Sequence, residues 1–272
     1  MIGVCLCGAC GRMGRVLVRR ISEQGDMRLV AAVEAPSSPF LGKDAGEVAG
    51  VGRLGVEVRG AGELEEVLRK SGARVMVDFT VAEAAVANVE VAARVGVPVV
   101  VGTTGFSQEQ MERLRRAVGE GRIPAVISPN MAVGVNLFFR ILSELARRLG
   151  REYDVEVVEI HHRGKLDAPS GTALRAARIV AESRGAEVRV GRAEGKGRRG
   201  EEVVIHSVRG GDVVGEHTVI FAGPGERIEL THRAHGREAF AEGVLKAVRF
   251  VVERGRPGEI LGMEDVLGLR DA

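Results

Sequence analysis

The chain has 272 residues and a formal net charge of +2, with acidic and basic residues mixed along its length. So weak a summed field argues against a nucleic-acid partner, and one Tyr with no Trp leaves little for stacking on bases. Hydrophobic residues make up 45% of the chain, yet no run approaches the roughly 18 apolar residues of a membrane span, so the expectation is a cytoplasmic protein away from membranes.

The opening, MIGVCLCGACGRMGR, is apolar as a signal peptide is, but no basic residue precedes the apolar stretch and its glycines suit a turn. It reads as the first strand of a mature cytosolic protein. Cys5, Cys7 and Cys10 are the only cysteines and the first His is His161. A thiolate metal site needs about four ligands, so no metal is expected and the three read as small residues of a buried strand and turn.

In chain order, Ile2 to Cys7 is a buried-strand run, and Arg12 to Gln24 has helical spacing at Met13, Val16, Leu17 and Ile21. Leu29 to Val33 is a strand, followed by an irregular stretch rich in Gly, Pro and Ser and a helix around Glu63 to Lys70. Strands at Val75–Phe79, Val97–Val101 and Ala125–Ile127 then alternate with helices at Ala82–Val95 and Ser107–Gly119. Short apolar strands alternating with helices predict a doubly wound, Rossmann-like parallel sheet covered on both faces. After Ile127 the style changes: a helix from Asn136 to Leu149, a strand from Tyr153 to Ile160, and a helix from Thr172 to Ser183. VVIHSVR, EHTVIFA and ERIELTH then follow with short Gly turns, which predicts an open mixed sheet in an α+β domain. Ala239 to Arg254 is a last helix, and AEGKGRRG (193–200) reads as a mobile loop. This predicts two lobes, a doubly wound one and an open α+β one, with the change of style at Ile127 between them.

Gly8-Ala9-Cys10-Gly11-Arg12-Met13-Gly14 lies directly after the first strand and opens a helix. Glycines there allow a tight turn and let backbone N–H groups approach a pyrophosphate at the positive end of the helix. The spacing is GxxGxxG, a departure from the usual GxGxxG, and an ordinary strand-to-helix turn is the alternative. Glu34, after the second strand, stands where an acid accepts hydrogen bonds from the adenine ribose. Its charge disfavours the extra phosphate of NADPH and Ala35 supplies no compensating cation, so NADH is favoured, with NADPH left open. Gly102-Thr103-Thr104 and Ser128-Pro129-Asn130-Met131 follow two later strands, placed either to meet a nicotinamide or as plain turns.

Between Glu159 and Ala173 the chain reads EIHHRGKLDAPSGTA, with two His, an Arg and a Lys within five residues, then Ser170-Gly171-Thr172 at a helix start. Ser170 can cap, and N–H groups at that end would hold a carboxylate, so the charge suits a small dianionic substrate. Metal binding by His161 and His162 is not expected, since neighbours on a strand point to opposite faces.

Together with VDFT, VGTTGF, SPNMAVGVN, GEHTVIF, ERIELTHRA and the closing DVLGL, these motifs make the chain resemble the 4-hydroxy-tetrahydrodipicolinate (dihydrodipicolinate) reductase family over nearly its whole length. The resemblance implies reduction of a cyclic hydroxy-imine, with loss of water, in lysine and diaminopimelate biosynthesis. It implies domains at 1–127 for the dinucleotide, 128–238 for substrate and tetramerisation, and 239–272 as a C-terminal helix and tail returning to the first, with a homotetramer built through the substrate-domain sheets. By motif, Gly8 to Met13, Glu34, Gly102 to Thr104 and Ser128 to Met131 would contact the dinucleotide. His161 and Lys165 would be the acid/base pair, and His162, Gly171 and Thr172 would hold the carboxylates of a small dicarboxylate. Lysine can give up a proton where arginine cannot, and only five of the 39 basic residues are lysine, which lends Lys165 some weight. A different imine reductase, or a sensor that binds NADH without chemistry, are the other readings. The first lacks a reason for HHRGKLDAPSGT, and the second lacks an attached DNA-binding module.

Overall fold

The computed structural model describes residues 1–192 and 199–270; most of the loop expected at 193–200 lies outside the described residues. In chain order the elements are β1 (Ile2–Cys7), α1 (Arg12–Ser22), β2 (Met27–Glu34), α2 (Ala45–Ala49), β3 (Val58–Gly60), α3 (Leu64–Lys70), β4 (Val75–Asp78) and α4 (Ala82–Val95). There follow β5 (Val99–Val101), α5 (Gln108–Gly121), β6 (Ala125–Ile127), α6 (Val133–Arg148), β7 (Asp154–His161), α7 (Gly171–Arg184) and β8 (Val188–Val190). The chain ends with β9 (Val203–Arg209), β10 (Gly215–Gly223), β11 (Glu226–Ala234), α8 (Glu238–Arg254), β12 (Ile260–Leu261) and α9 (Met263–Val266). Contacts divide it into two compact units, Met1–Val133 with Arg237–Ala272, and Gly134–Gly236.

The first unit is a Rossmann-like parallel sheet in the order β12-β6-β5-β4-β1-β2-β3. Every residue of β1 is buried, which is why the strand reads as an unbroken apolar run. Side chains alternate across a strand, and they feed two cores: Val4, Leu6, Val75, Val77, Val100 and Val126 pack with α1 and α8. Cys5, Cys7, Met76, Val99, Val101 and Ala125 pack on the other face with α3, α4 and α5. The small elements α2, β3, β12 and α9 fall where the amino-acid pattern predicts nothing regular, being too short to display a period. One of them has a local cause: the carboxylate of Asp44 accepts hydrogen bonds from Gly46, Glu47, Leu54, Gly55 and Val56 N–H groups. It caps α2 and gathers the glycine-rich loop behind it, and its pKa is lowered because those donors outweigh burial.

The second unit is a mixed sheet in the order β11-β10-β7-β9-β8. β7 runs antiparallel to β10 and parallel to β9. Val155 and Val157 of β7, Ile205 of β9, and Val219 and Phe221 of β10 are buried beneath α7. That helix presents Ala173, Ala176, Ala177, Val180 and Ala181, small side chains that let it lie close to the sheet. No helix among the described residues is long and apolar enough to cross a membrane.

Candidate active site

In the first unit, β1, β2, β4, β5 and β6 run parallel, so the loops after them gather along one edge. Strand order reverses beside β1, with β2 on one side and β4 on the other, and ligands of open α/β sheets bind at such a switch point. Gly8 has φ +78°, a left-handed conformation that glycine adopts without strain. A Cβ at Gly14 would lie 2.0 Å from the Gly8 carbonyl oxygen and 2.6 Å from that of Ala9. Gly11 is the N-cap of α1, bringing no side-chain cap, and no acid stands in the first turn of α1. The helix α1 itself thus brings no side-chain oxygen to its positive end, which suits an anion site.

Glu34 ends β2 at this same edge and accepts from the N–H of Cys10 at 2.9 Å and of Ala35 at 3.1 Å. Burial, then the charge of Glu34, raises the Cys10 thiol to about 11, so it stays protonated. All three cysteines are free and buried. The Thr103 hydroxyl donates to buried Asp78 at 3.0 Å, as do Thr80 and Asn88. Gly102 packs its Cα against the Phe79 ring, which a Cβ would meet at 2.1 Å, while Thr104 is exposed. Ser128 closes a turn by donating to the Asn130 carbonyl at 2.9 Å. Pro129 lies within that turn, and the Met131 side chain is buried in the core, leaving backbone as what Met131 can offer a ligand. The groove lined by Glu90, Arg94, Arg113, Arg116 and Glu120, between α4 and α5, contains none of these residues.

In the second unit the buried face of β7 begins apolar, at Val155 and Val157, and turns polar at Glu159 and His161. Register across the sheet places Ser207 beside Glu159, Arg209 beside His161, and His217 opposite Glu159. Glu159 is fully buried, and Arg209 grips both of its oxygens, Nη1 to Oε2 at 2.9 Å and Nη2 to Oε1 at 2.8 Å. Oε2 also meets His161 Nδ1, and Oε1 accepts from the Ser170 N–H at 3.3 Å. Burial opposes ionisation of this carboxyl, but hydrogen bonds from Arg209, Ser207 and His161 override it and bring the pKa down to about 2. His161 is pushed below its ordinary range, by burial first, with Glu159 pulling the other way. His217, with its ring centre 5.1 Å from that of His161, is driven to about 3, chiefly by burial. Ligand atoms of Glu159, His161 and His217 lie within 4.8 Å of one another. With both carboxylate oxygens held by the Arg209 guanidinium, that cluster is a poor cation trap.

Beyond His161 the strand ends, so His162 is not on it; it is half-buried, and among the described residues its ring has no hydrogen-bond partner. Lys165 Nζ lies 2.7 Å from Asp167 Oδ1. Ser170 caps α7, its Oγ accepting from the Ala173 N–H at 3.2 Å and lying 3.0 Å from His217 Nε2. Gly171 and Thr172 form the first turn of α7, exposed and half-exposed, with no acid in that turn. His161, His162, Lys165, Ser170, Gly171 and Thr172 therefore share one end of the second unit. Sequence reasoning did not find Arg209, His217 or the structural weight of Glu159. The available signal was the two-residue period of β7, which puts Glu159 and His161 on one face.

The family model described as "Dihydrodipicolinate reductase, N-terminus" matches residues 2–131, and that described as "Dihydrodipicolinate reductase, C-terminus" matches 134–267. The chain belongs to the dihydrodipicolinate reductase family. A 4-hydroxy-tetrahydrodipicolinate reductase of Methanothermobacter thermautotrophicus is 52% identical, across 99% of this chain and 100% of its own. One of Methanocaldococcus jannaschii is 51% identical, across 100% of this chain and 99% of its own. Among solved structures, the dipicolinate-bound dihydrodipicolinate reductase from Paenisporosarcina sp. TG-14 is similar with a TM-score of 0.78 and 28% identity, covering 96% of this chain and 97% of that one. An amine dehydrogenase from Mycobacterium smegmatis, at 16% identity and a TM-score of 0.62, shares the fold. As a member of the dihydrodipicolinate reductase family the chain is an oxidoreductase, and its Rossmann-like first unit takes a nicotinamide cofactor.

Proposed function

We propose that the chain reduces 4-hydroxy-tetrahydrodipicolinate, with loss of water, to tetrahydrodipicolinate on the route to diaminopimelate and lysine. The observation that carries this reading is the end of the second unit, where His161, His162 and Lys165 stand beside the acid-free first turn of α7. Cations and N–H groups so arranged suit a small dicarboxylate. The domains divide the work: the residues up to about 127 serve the dinucleotide, 128–238 serve substrate, and the C-terminal helix belongs with the first.

When bound, the cofactor supplies a hydride to the conjugated ring left after water departs. The ring then needs one proton, and His161 with Lys165 supplies it, lowering the cost of charge that develops on the ring. His162, Ser170, Gly171 and Thr172 hold the carboxylates. Gly8, Ala9, Cys10, Gly11, Arg12, Met13 and Gly14 hold the pyrophosphate. Gly102, Thr103, Thr104, Ser128, Pro129, Asn130 and Met131 face the nicotinamide, mostly through backbone. Glu34, followed by Ala35, favours the free ribose of NADH, with NADPH accepted less well. The tetramer forms through the face of the second sheet turned away from α7, where Val158, Ile160 and Ile220 are only half-buried and Val208 is 45% exposed.

The test is loss of NADH absorbance with substrate made in place by a coupled synthase, and NADPH run in parallel. Substrate-dependent oxidation, faster with NADH, is the expected result. A folded protein that binds NADH yet oxidises it with no such substrate would instead be a sensor or a reductase of another imine.

A further inference from the structure

We propose that Glu159 and Arg209 are an opposed pair of positioning residues: Glu159 fixes His161 as the Nδ1–H tautomer, leaving Nε2 to exchange protons, and Arg209 limits how strongly that carboxylate draws a second proton onto the ring. This deepens the reading of His161 as a proton-transferring group and rests on it.

The geometry supports each half. Glu159 is fully buried and offers Oε2 to His161 Nδ1. A carboxylate this far below neutrality in pKa accepts only, so Nδ1 donates and Nε2 is left as the free position. Nε2 lies over Gly215, where a Cβ would stand at 3.0 Å, so the glycine leaves room beside that nitrogen. A lone buried carboxylate would pull the imidazole toward imidazolium. Here the same carboxylate is bridged by both Nη atoms of Arg209 at 2.9 Å and 2.8 Å, and its remaining capacity is taken by the Ser170 N–H. The Ser207 side chain donates to this carboxylate as well, so no lone-pair position is left over. Arg209 Nη2 also donates to the Asp167 carbonyl at 2.5 Å, tying the loop that carries Lys165 to the same carboxylate.

The charged and titratable groups facing His161 are few. Glu159 comes from its own strand, Arg209 from β9, His217 from β10, and His232 from β11 beyond it. Lys165 and its partner Asp167 come from the following loop. Arg209 and Lys165 discourage a charged ring, Glu159 favours one, and His217 stays neutral down to about pH 3. Removing either member of the Glu159–Arg209 pair breaks one ion pair, so a purely structural role predicts similar damage from both. The positioning role predicts displacements of opposite sign.

The experiment is NMR of the full-length protein with isotopically labelled histidine, without substrate, with the His161 signals assigned by their absence in His161→Gln. Wild type is expected to show a neutral Nδ1–H ring at neutral pH. In Glu159→Gln the protonation midpoint should fall by about one unit and the tautomers mix. In Arg209→Met it should rise by about one unit. Arg209→Lys, which keeps the charge but not the two-pronged grip, should lie between Arg209→Met and wild type, and it serves should Arg209→Met not fold. Midpoints that stay put, or move in the same direction, overturn the proposal. The pH profile of kcat in the same variants separates it from the reading beneath it. Opposite NMR displacements with normal turnover in His161→Gln would leave the device standing and sink the proton-transfer role of His161.

Discussion

Gly14 has no room for a methyl group, because the Gly8 and Ala9 carbonyls stand at 2.0 Å and 2.6 Å from where a Cβ would sit. Gly14→Ala must therefore shift the turn, at a cost of about 1–3 kcal/mol, and should weaken NADH binding further than stability. Paired urea denaturation and NADH titration would show the two effects. Lys165 is different, its ammonium paired with exposed Asp167. Lys165→Ala should leave folding intact and lower kcat by roughly 10²–10⁴-fold, the usual contribution of a placed acid or base. Unchanged turnover would remove Lys165 from the chemistry. Both positions stood out in the amino-acid sequence because their signal is local: a glycine spacing after a strand, a cluster of cations before a helix. Arg209 and His217 were not, since their partners Glu159 and Ser170 lie 50 and 47 residues away and meet them only through the register of β7 with β9 and β10.

Elements show the same division between local and distant causes. The helix α5 was legible from Ser107 onward, and its start is a reciprocal cap: the Gln110 N–H donates to Ser107 Oγ at 3.1 Å, and Gln110 Oε1 accepts from the Ser107 N–H at 2.9 Å. Ser107→Ala should cost about 1 kcal/mol by thermal or urea unfolding, with activity unchanged. Strand β8, like β12, is three residues or fewer and exists only because a neighbouring strand pairs with it, so no period could announce it. The second sheet also makes a prediction about acid. His217 ordinarily titrates at 6.5 but only at about 3 in the fold, so between those values the unfolded chain holds the extra proton. Stability therefore falls as pH drops below 6.5, by ~1.4 kcal/mol per unit. Glu159, lowered from 4.5 to about 2, adds a second loss: its stabilisation is complete above 4.5 and disappears as pH falls toward 2. Denaturation across this range should show a slope that His217→Asn reduces between 6.5 and 4.5, where Glu159 does not yet titrate, the remainder coming from His161 and His232, which burial also holds below their ordinary value. An unaltered slope in that variant would mean another group carries it.

At the scale of the molecule, the doubly wound sheet was legible from the alternation of strands and helices alone, and the change of style after Ile127 announced the second sheet. The contribution of α8 to the first core was expected only through family resemblance, because nothing in its amphipathic pattern says which sheet it covers. Its Val244, Leu245, Val248 and Val251 are all buried there with β1 and α1. At roughly 1.5–3 kcal/mol each, those four rival the whole net stability of a typical domain, about 5–15 kcal/mol. A chain ended at Gly236 should therefore have an unfolded first unit and no NADH affinity, by circular dichroism and NADH titration, even though every glycine of the phosphate turn is still present.

The interrupted course of the first unit also bears on how the chain is made. Translation delivers Met1–Val133 first, but α8, which completes their core, arrives only after the whole of Gly134–Gly236 has been synthesised. The inserted unit is a single continuous piece whose sheet is finished once β11 emerges. Domains commonly fold on the ribosome in the order of their synthesis; here the piece in the middle is the first to have all of its elements. The residues made earliest spend the rest of translation waiting for those made last, and during that time the apolar face of the nascent parallel sheet is the surface a chaperone would meet.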